Sequence, residues 1–183
     1  MAEGVRMLLV GVVFPLWVGA GLADWACHRA SAIERTSGLR ENLVHWLLFM
    51  QMGLGVLAGL VLDTTAAVLV LLACIVLLHE VTVYLELRYT VARREVRPIE
   101  QVVHSLMEML PLVALALLAA LHWDQLRHPE WALRVRQLPL PAAGLALGGL
   151  AVAVFNALPL VEETLRCARW RSPSRTRPRP APR

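Results

Sequence analysis

The sequence contains no lysine and few charged residues of any kind. All 18 basic residues are arginines, and charged residues make up 17% of the 183 positions. The absence of lysine excludes Schiff-base and lysine-nucleophile chemistry, and a charged fraction below the roughly 25% of soluble domains excludes that class. Three cysteines, Cys27, Cys74 and Cys167, fit neither a disulfide framework nor a Cys-x-x-Cys metal motif. With 57% hydrophobic residues and a mean hydropathy of +0.57, the chain is predicted to lie in a membrane.

Five apolar segments have the length of transmembrane helices, and we predict an all-α polytopic membrane bundle in residues 1–170. Only a short polar stretch that begins with Asp63 and Thr64 separates the second segment from the third, so these two segments are expected to form a tight antiparallel hairpin. The first segment follows Arg6 and also fits a cleavable signal peptide, an alternative that the sequence leaves open. The five segments are Met7–Leu22, Leu43–Leu62, Ala66–Leu87, Val102–Leu121 and Leu138–Leu160.

The arginines are distributed unevenly between the two sides of such a bundle. Because basic residues stay on the cytoplasmic side, the N-terminus is predicted outside and the C-terminus inside. Residues Arg171–Arg183 are rich in arginine and proline and are predicted to form a disordered cytoplasmic tail. The arginines on the predicted cytoplasmic side are Arg29, Arg35, Arg40, Arg88, Arg93, Arg94, Arg97, Arg166, Arg169, Arg171, Arg175, Arg177, Arg179 and Arg183.

Histidines and carboxylates recur at helical spacing near the ends of the first four segments. Most of them are four residues apart, which places them on one face of a helix, and one pair is seven apart, which returns to the same face. Segments one and three end on the side where segments two and four begin, so all these residues are expected at one depth. Ionisable residues at such positions are costly and indicate function. They are Asp24, His28, Glu41, His45, His79, Glu86, Glu100, His104 and Glu108.

This combination of side chains predicts a metal centre. Carboxylates crowded near a membrane repel one another and lose hydration, whereas divalent cations neutralise them. Mixed imidazole and carboxylate ligands from antiparallel helices are typical of di-iron and di-manganese sites in helical bundles. We therefore predict two divalent metal ions, with iron preferred and manganese or zinc as alternatives. Nine residues exceed what most dinuclear sites need, and Glu108 and Asp24 are the first candidates for an outer role.

A metal centre in a membrane bundle predicts a membrane-embedded dinuclear metal oxidoreductase, of non-haem di-iron type, that acts on a lipid-soluble substrate. Such an enzyme would hydroxylate, desaturate or oxidise its substrate. Its expected partners are membrane lipid, a hydrophobic small molecule and an external electron donor, because the sequence has no flavin or nicotinamide motif. No nucleic-acid partner is expected.

Two other functions fit parts of the pattern. Four histidines within membrane segments could form two axial pairs in a b-type haem protein that transfers electrons, although a haem needs apolar surface beside its ligands rather than carboxylates. The second alternative is a non-catalytic role in metal transport, metal sensing or assembly of a larger complex. Transport would require polar positions that continue to the outer side, and Gln51 and Asn156 are the candidates for them.

Three sequence motifs carry a resemblance to a known family. The run from His79 to Pro111, the motif DWxxHR from residue 24 and the motif SGxxExxxH from residue 37 together resemble a family of small bacterial integral membrane proteins. The resemblance spans most of the chain and implies a bacterial cytoplasmic (inner) membrane location, but it implies no substrate. Such proteins often read Trp-Asp where this chain has Leu85-Glu86, which keeps the carboxylate. The chemistry resembles that of membrane di-iron oxidases by analogy alone.

Overall fold

The computed structural model describes residues 2–137 and 141–171, and these residues are almost entirely helical. Five helices are long and apolar enough to cross a membrane, which confirms the prediction of an all-α bundle with five candidate spans. Within the described ranges, the β-structure amounts to an isolated bridge between Leu62 and Val135. The helices are α1 (Ala2–Ser31), α2 (Leu39–Val61), α3 (Ala66–Thr90), α4 (Pro98–Leu121) and α5 (Ala142–Trp170). A short helix, Trp123–Arg127, follows α4.

The first and last helices extend well beyond the apolar segments predicted for them. Helix α1 continues past Leu22 to Ser31, and α5 continues past Leu160 to Trp170. The apolar run of each helix ends at the first polar residues, but the helix itself continues. The polar ends of α1 and α5 contact each other. The predicted start of the fifth segment, at Leu138, and tail residues 172–183 lie outside the described residues.

Helices α2 and α3 form the tight hairpin that the sequence predicts. The Thr65 side chain caps the start of α3 by accepting a hydrogen bond from the amide of Val68. Gly55 faces α3, where a Cβ atom placed on it would make an ordinary van der Waals contact with Ile75 at 3.5 Å. The polar turn is also held from outside, since the amide of Asp63 donates to the carbonyl of Arg134 in the loop after the short helix.

The order of the helices brings five helix ends together at one end of the bundle. Helices α1, α3 and α5 end there, and α2 and α4 begin there; we call this the site end. The turn between α1 and α2 is tight because Gly38 adopts a φ of +62°, a region that favours glycine. Every polar side chain in the last turns of α1, α3 and α5 can therefore meet those in the first turns of α2 and α4.

Candidate metal centre

His28 of α1 lies at the middle of the site end. The residue is 1% exposed, and its Nε2 atom has no hydrogen-bond partner among the described residues. This atom faces three carboxylates, at 3.4 Å from Asp24 Oδ1, 3.5 Å from Glu100 Oε1 and 3.8 Å from Glu41 Oε1. Atoms bound to one metal ion by bonds of about 2.1 Å lie about 3.0–3.4 Å apart. The spacing is therefore close to that of ligand atoms around a shared ion and long for hydrogen bonds.

Three groups of residues at the site end can each hold a metal ion, because one ligand atom from each member lies within 4.8 Å of the others. Two of the groups share no residue. The third joins them, since it combines Asp24 with one histidine from each. The groups are His28 with Glu100 and His104, Glu41 with His45 and Glu86, and Asp24 with His28 and His45.

Glu163 of α5 fixes the orientation of two of these histidines. Its carboxylate is 3.0 Å from His28 Nδ1 and 3.2 Å from His45 Nδ1, and it also accepts a hydrogen bond from Asn42 at 2.9 Å. An ionised carboxylate only accepts, so both Nδ1 atoms carry a proton, and in the neutral form of each ring the Nε2 atom keeps a free lone pair. A carboxylate behind the ring is the usual partner of a metal-binding histidine. Because Glu163 contacts the Nδ1 side of both rings, their Nε2 atoms stay available as metal ligands.

The remaining side chains of the groups are also held in place by hydrogen bonds. His104 Nε2 and Asp24 Oδ1 are 2.9 Å apart, which joins α4 to α1. The Thr90 hydroxyl donates to Glu86 at 2.5 Å. The rings of His28 and His45 are stacked, with centroids 4.5 Å apart and planes 7° from parallel. These contacts orient the side chains without an ion, which lowers the entropic cost of metal binding.

Arg94, in the loop between α3 and α4, closes the site end. Its guanidinium donates to Glu41 and Glu100, both of which are fully buried. Burial opposes the charge of Arg94, but hydrogen bonds to Glu100 and Glu41 raise the pKa of the guanidinium above its ordinary value. Arg94 is therefore a permanent positive charge that holds the two carboxylates side by side.

Two of the nine predicted site residues lie outside the three groups. His79 and Glu108 line the cavity that adjoins the centre, but farther along α3 and α4. His79 lies about two helical turns from Glu86, roughly 10 Å along the helix axis. The structure thus gathers seven of the predicted residues closely and places these two in the cavity wall.

An apolar cavity of about 250 Å³ adjoins the metal-binding groups. His28, His45 and Glu163 contribute to its polar end. The volume is close to the lower end of the range of small-molecule sites. The rest of the wall is mainly apolar and includes Phe14, Trp17, Val18, Leu48, Phe49, Met52, Val56, Val83, Met107, Val152 and Leu160.

Sequence reasoning missed the contributions of α5 and of the loop before α4. Glu163 and its partner Asn42 were not among the predicted residues, and Arg94 was considered as a topology signal alone. A helical pattern was present in the sequence, because Asn156, Leu160 and Glu163 are four and three residues apart and all line the cavity. Extending the fifth helix beyond its apolar run would have found Glu163.

Comparison of the chain with protein-family models, curated proteins and solved structures gives no match. The resemblance to small bacterial membrane proteins therefore stays a prediction. The function must be argued from the geometry of the site.

Proposed function

We propose that the protein is a membrane-embedded oxidoreductase with a dinuclear metal centre, of non-haem di-iron type, that acts on a lipid-soluble substrate. The observation that carries the proposal is the unpartnered Nε2 atom of His28, which faces three carboxylate oxygens while Glu163 holds the opposite nitrogen. Imidazole and carboxylate ligands suit iron, manganese and zinc. We also propose that the site end faces the cytoplasm, because the loops there are rich in arginine.

Two ions fit the site end better than one. The two groups that share no residue offer three ligands each. Charge supports the same number, because two divalent ions and Arg94 together carry five positive charges. Five buried carboxylates would balance them, namely Asp24, Glu41, Glu86, Glu100 and Glu163.

The residues of each group have distinct roles in this proposal. His28, Glu100 and His104 would hold one ion, and Glu41, His45 and Glu86 the other. Asp24 contacts both His28 and His104, so it would orient the two histidine ligands of the first ion. The bound metal pair would supply activation of O₂, while the apolar cavity holds the substrate and excludes water.

The overall reaction requires a partner that supplies electrons. Insertion of one oxygen atom into a C–H bond consumes one O₂, two electrons and two protons, and it releases one water molecule. The two electrons must come from outside the chain, since its sequence contains no flavin or nicotinamide motif. We therefore propose an external electron donor that docks at the site end.

The geometry favours this function over haem binding and over metal transport. The parallel stack of His28 on His45, at 4.5 Å, leaves no room for a haem between these rings. Metal transport would require polar groups beyond the centre, but the far wall of the described cavity, at Phe14, Val56 and Val152, is apolar.

Elemental analysis of the protein purified in mild detergent tests the proposal. We expect about two iron, manganese or zinc ions per chain. Glu100→Gln and Glu86→Gln each remove a ligand from one of the two separate groups, so each should lower the content by about one ion. Glu108→Gln is the matched control, because Glu108 lies in the cavity wall outside the groups, and it should keep both ions. Full metal content in both ligand variants would contradict the proposal.

A further inference from the structure

The cavity next to the metal-binding groups is elongated along the helices. Its wall includes both Asp24 and Phe14 on α1, and both His45 and Val56 on α2. These pairs are ten or eleven residues apart, so the cavity extends about 15 Å from the centre at a rise of roughly 1.5 Å per residue. The volume of about 250 Å³ is close to the lower end of the range of small-molecule sites, so a single hydrocarbon chain fits it better than a lipid with two chains.

His79 interrupts the apolar wall about two-thirds of the way along the cavity, roughly 10 Å from Glu86. The residue is 5% exposed, and its Nδ1 atom has no hydrogen-bond partner among the described residues. A buried, unpaired ring nitrogen is costly, because the water that it loses on folding is not replaced. Asn156, another polar residue of the wall, differs in this respect, since its amide donates to the carbonyl of Val18. His79 is thus a hydrogen-bonding group in the wall that the rest of the described chain leaves unused.

Glu108 restricts the charge of any group that binds beside His79. It lies one helical turn beyond His104 on α4, about 6 Å from the centre along the helix axis, and lines the same cavity. A carboxylate here repels a second anion in an apolar surrounding. A fatty-acid carboxylate is therefore a poor occupant of this level, whereas a hydroxyl or carbonyl oxygen carries no charge and can pair with an imidazole nitrogen.

We infer that His79 hydrogen-bonds the substrate, and that the substrate is a neutral lipid with a single hydrocarbon chain and a hydroxyl or carbonyl oxygen. The identification of this molecule as substrate rests on the proposed function. The oxygen lies at the level of His79, roughly 10 Å from Glu86 along the helix axis, and the chain lies along the apolar wall. His79 is thus a binding and positioning residue and not a metal ligand.

Quenching of tryptophan fluorescence tests this inference, because Trp17 and Trp25 both line the cavity. The probes are bromododecanol and bromododecane, which share a quenching bromine and a chain and differ by one hydroxyl group. The full chain in detergent should bind the alcohol roughly five- to tenfold more tightly, the effect of one added hydrogen bond. His79→Leu should abolish the preference, and His79→Gln, which keeps a donor and an acceptor, should retain part of it.

His122→Leu is the matched control, because His122 follows α4 at the other end of the bundle and should leave the preference unchanged. Equal affinities of wild type for the two probes, or a preference that survives His79→Leu, would overturn the inference. Elemental analysis of the same samples separates the two proposals. Full metal content without an alcohol preference overturns the inference alone, whereas an alcohol preference without metal supports the inference and contradicts the proposed metal centre.

Discussion

Replacing Glu163 by glutamine tests whether this residue prepares two histidines to bind metal. Three donors converge on its carboxylate, from His28, His45 and Asn42. Glutamine has nearly the same volume, but it offers one acceptor oxygen and one NH₂ group. One of the two imidazole Nδ1–H groups would therefore face the NH₂ group of the glutamine, and two donors cannot form a hydrogen bond with each other. That ring can relieve the conflict by moving its proton to Nε2, and a protonated Nε2 cannot bind a metal ion.

The size of the effect follows from the number of histidines that Glu163 contacts. Loss of the outer partner of one metal ligand lowers metal affinity by about 10–100-fold. This range corresponds to about 1.4–2.8 kcal/mol of binding free energy. Glu163 is 1% exposed and contacts two histidines, so water cannot replace it. We therefore expect the Glu163→Gln variant to bind metal about 100-fold more weakly than wild type, near the upper end of this range.

Competition with a chelator of known affinity measures this change, with Glu162→Gln as the matched control. Glu162 is the preceding residue, its side chain is 38% exposed, and it pairs with Arg29 and Trp25 rather than with the histidines. Exposed ion pairs contribute little, so this variant should bind metal within about twofold of wild type. Unchanged affinity in Glu163→Gln, or an equal loss in Glu162→Gln, would refute the reasoning.

Two further predictions concern the charge balance and the cavity. Arg94→Gln leaves Glu41 and Glu100 buried without their counter-ion, so thermal denaturation of metal-free protein should show a stability loss of about 3–5 kcal/mol. Arg88→Gln changes an exposed arginine and is the control, which should change stability by less than about 1 kcal/mol. A similar melting temperature in both variants would contradict this prediction. Val152→Phe fills the far part of the cavity, so fluorescence quenching should show weaker binding of long-chain than of short-chain alcohols, with unchanged metal content. An equal loss for both chain lengths would argue against a linear cavity.

The convergence of the histidine and carboxylate pairs could be predicted because helical spacing and hairpin topology determine face and depth. Asp24 and His28 lie on one face of α1, and the short connection places Glu41 of α2 at the same level. The structure brings all three together. The level of His79 was predicted less well, because a seven-residue interval preserves the face of a helix but moves the side chain about 10 Å along its axis.

Glu163 and Arg94 could not be recognised as members of the site for different physical reasons. Glu163 follows the end of an apolar run, and hydropathy alone does not show that the helix continues through a polar stretch. Arg94 lies in a loop whose conformation depends on tertiary contacts, so the sequence gives its charge but not its partners. The sequence therefore predicts residues that regular helices place together, and it does not predict those whose position depends on packing between elements.

Protonated histidines would be another way to balance the buried carboxylates, but the stack of His28 on His45 opposes a charge on both rings at once. Two positively charged rings with centroids 4.5 Å apart would repel by about 4 kcal/mol at an effective dielectric constant of about 20. Divalent ions would instead bind at the Nε2 atoms and leave Glu163 to neutralise the opposite side of both rings. Protons and metal ions would then compete for the same nitrogen atoms, so metal affinity should fall as the pH falls.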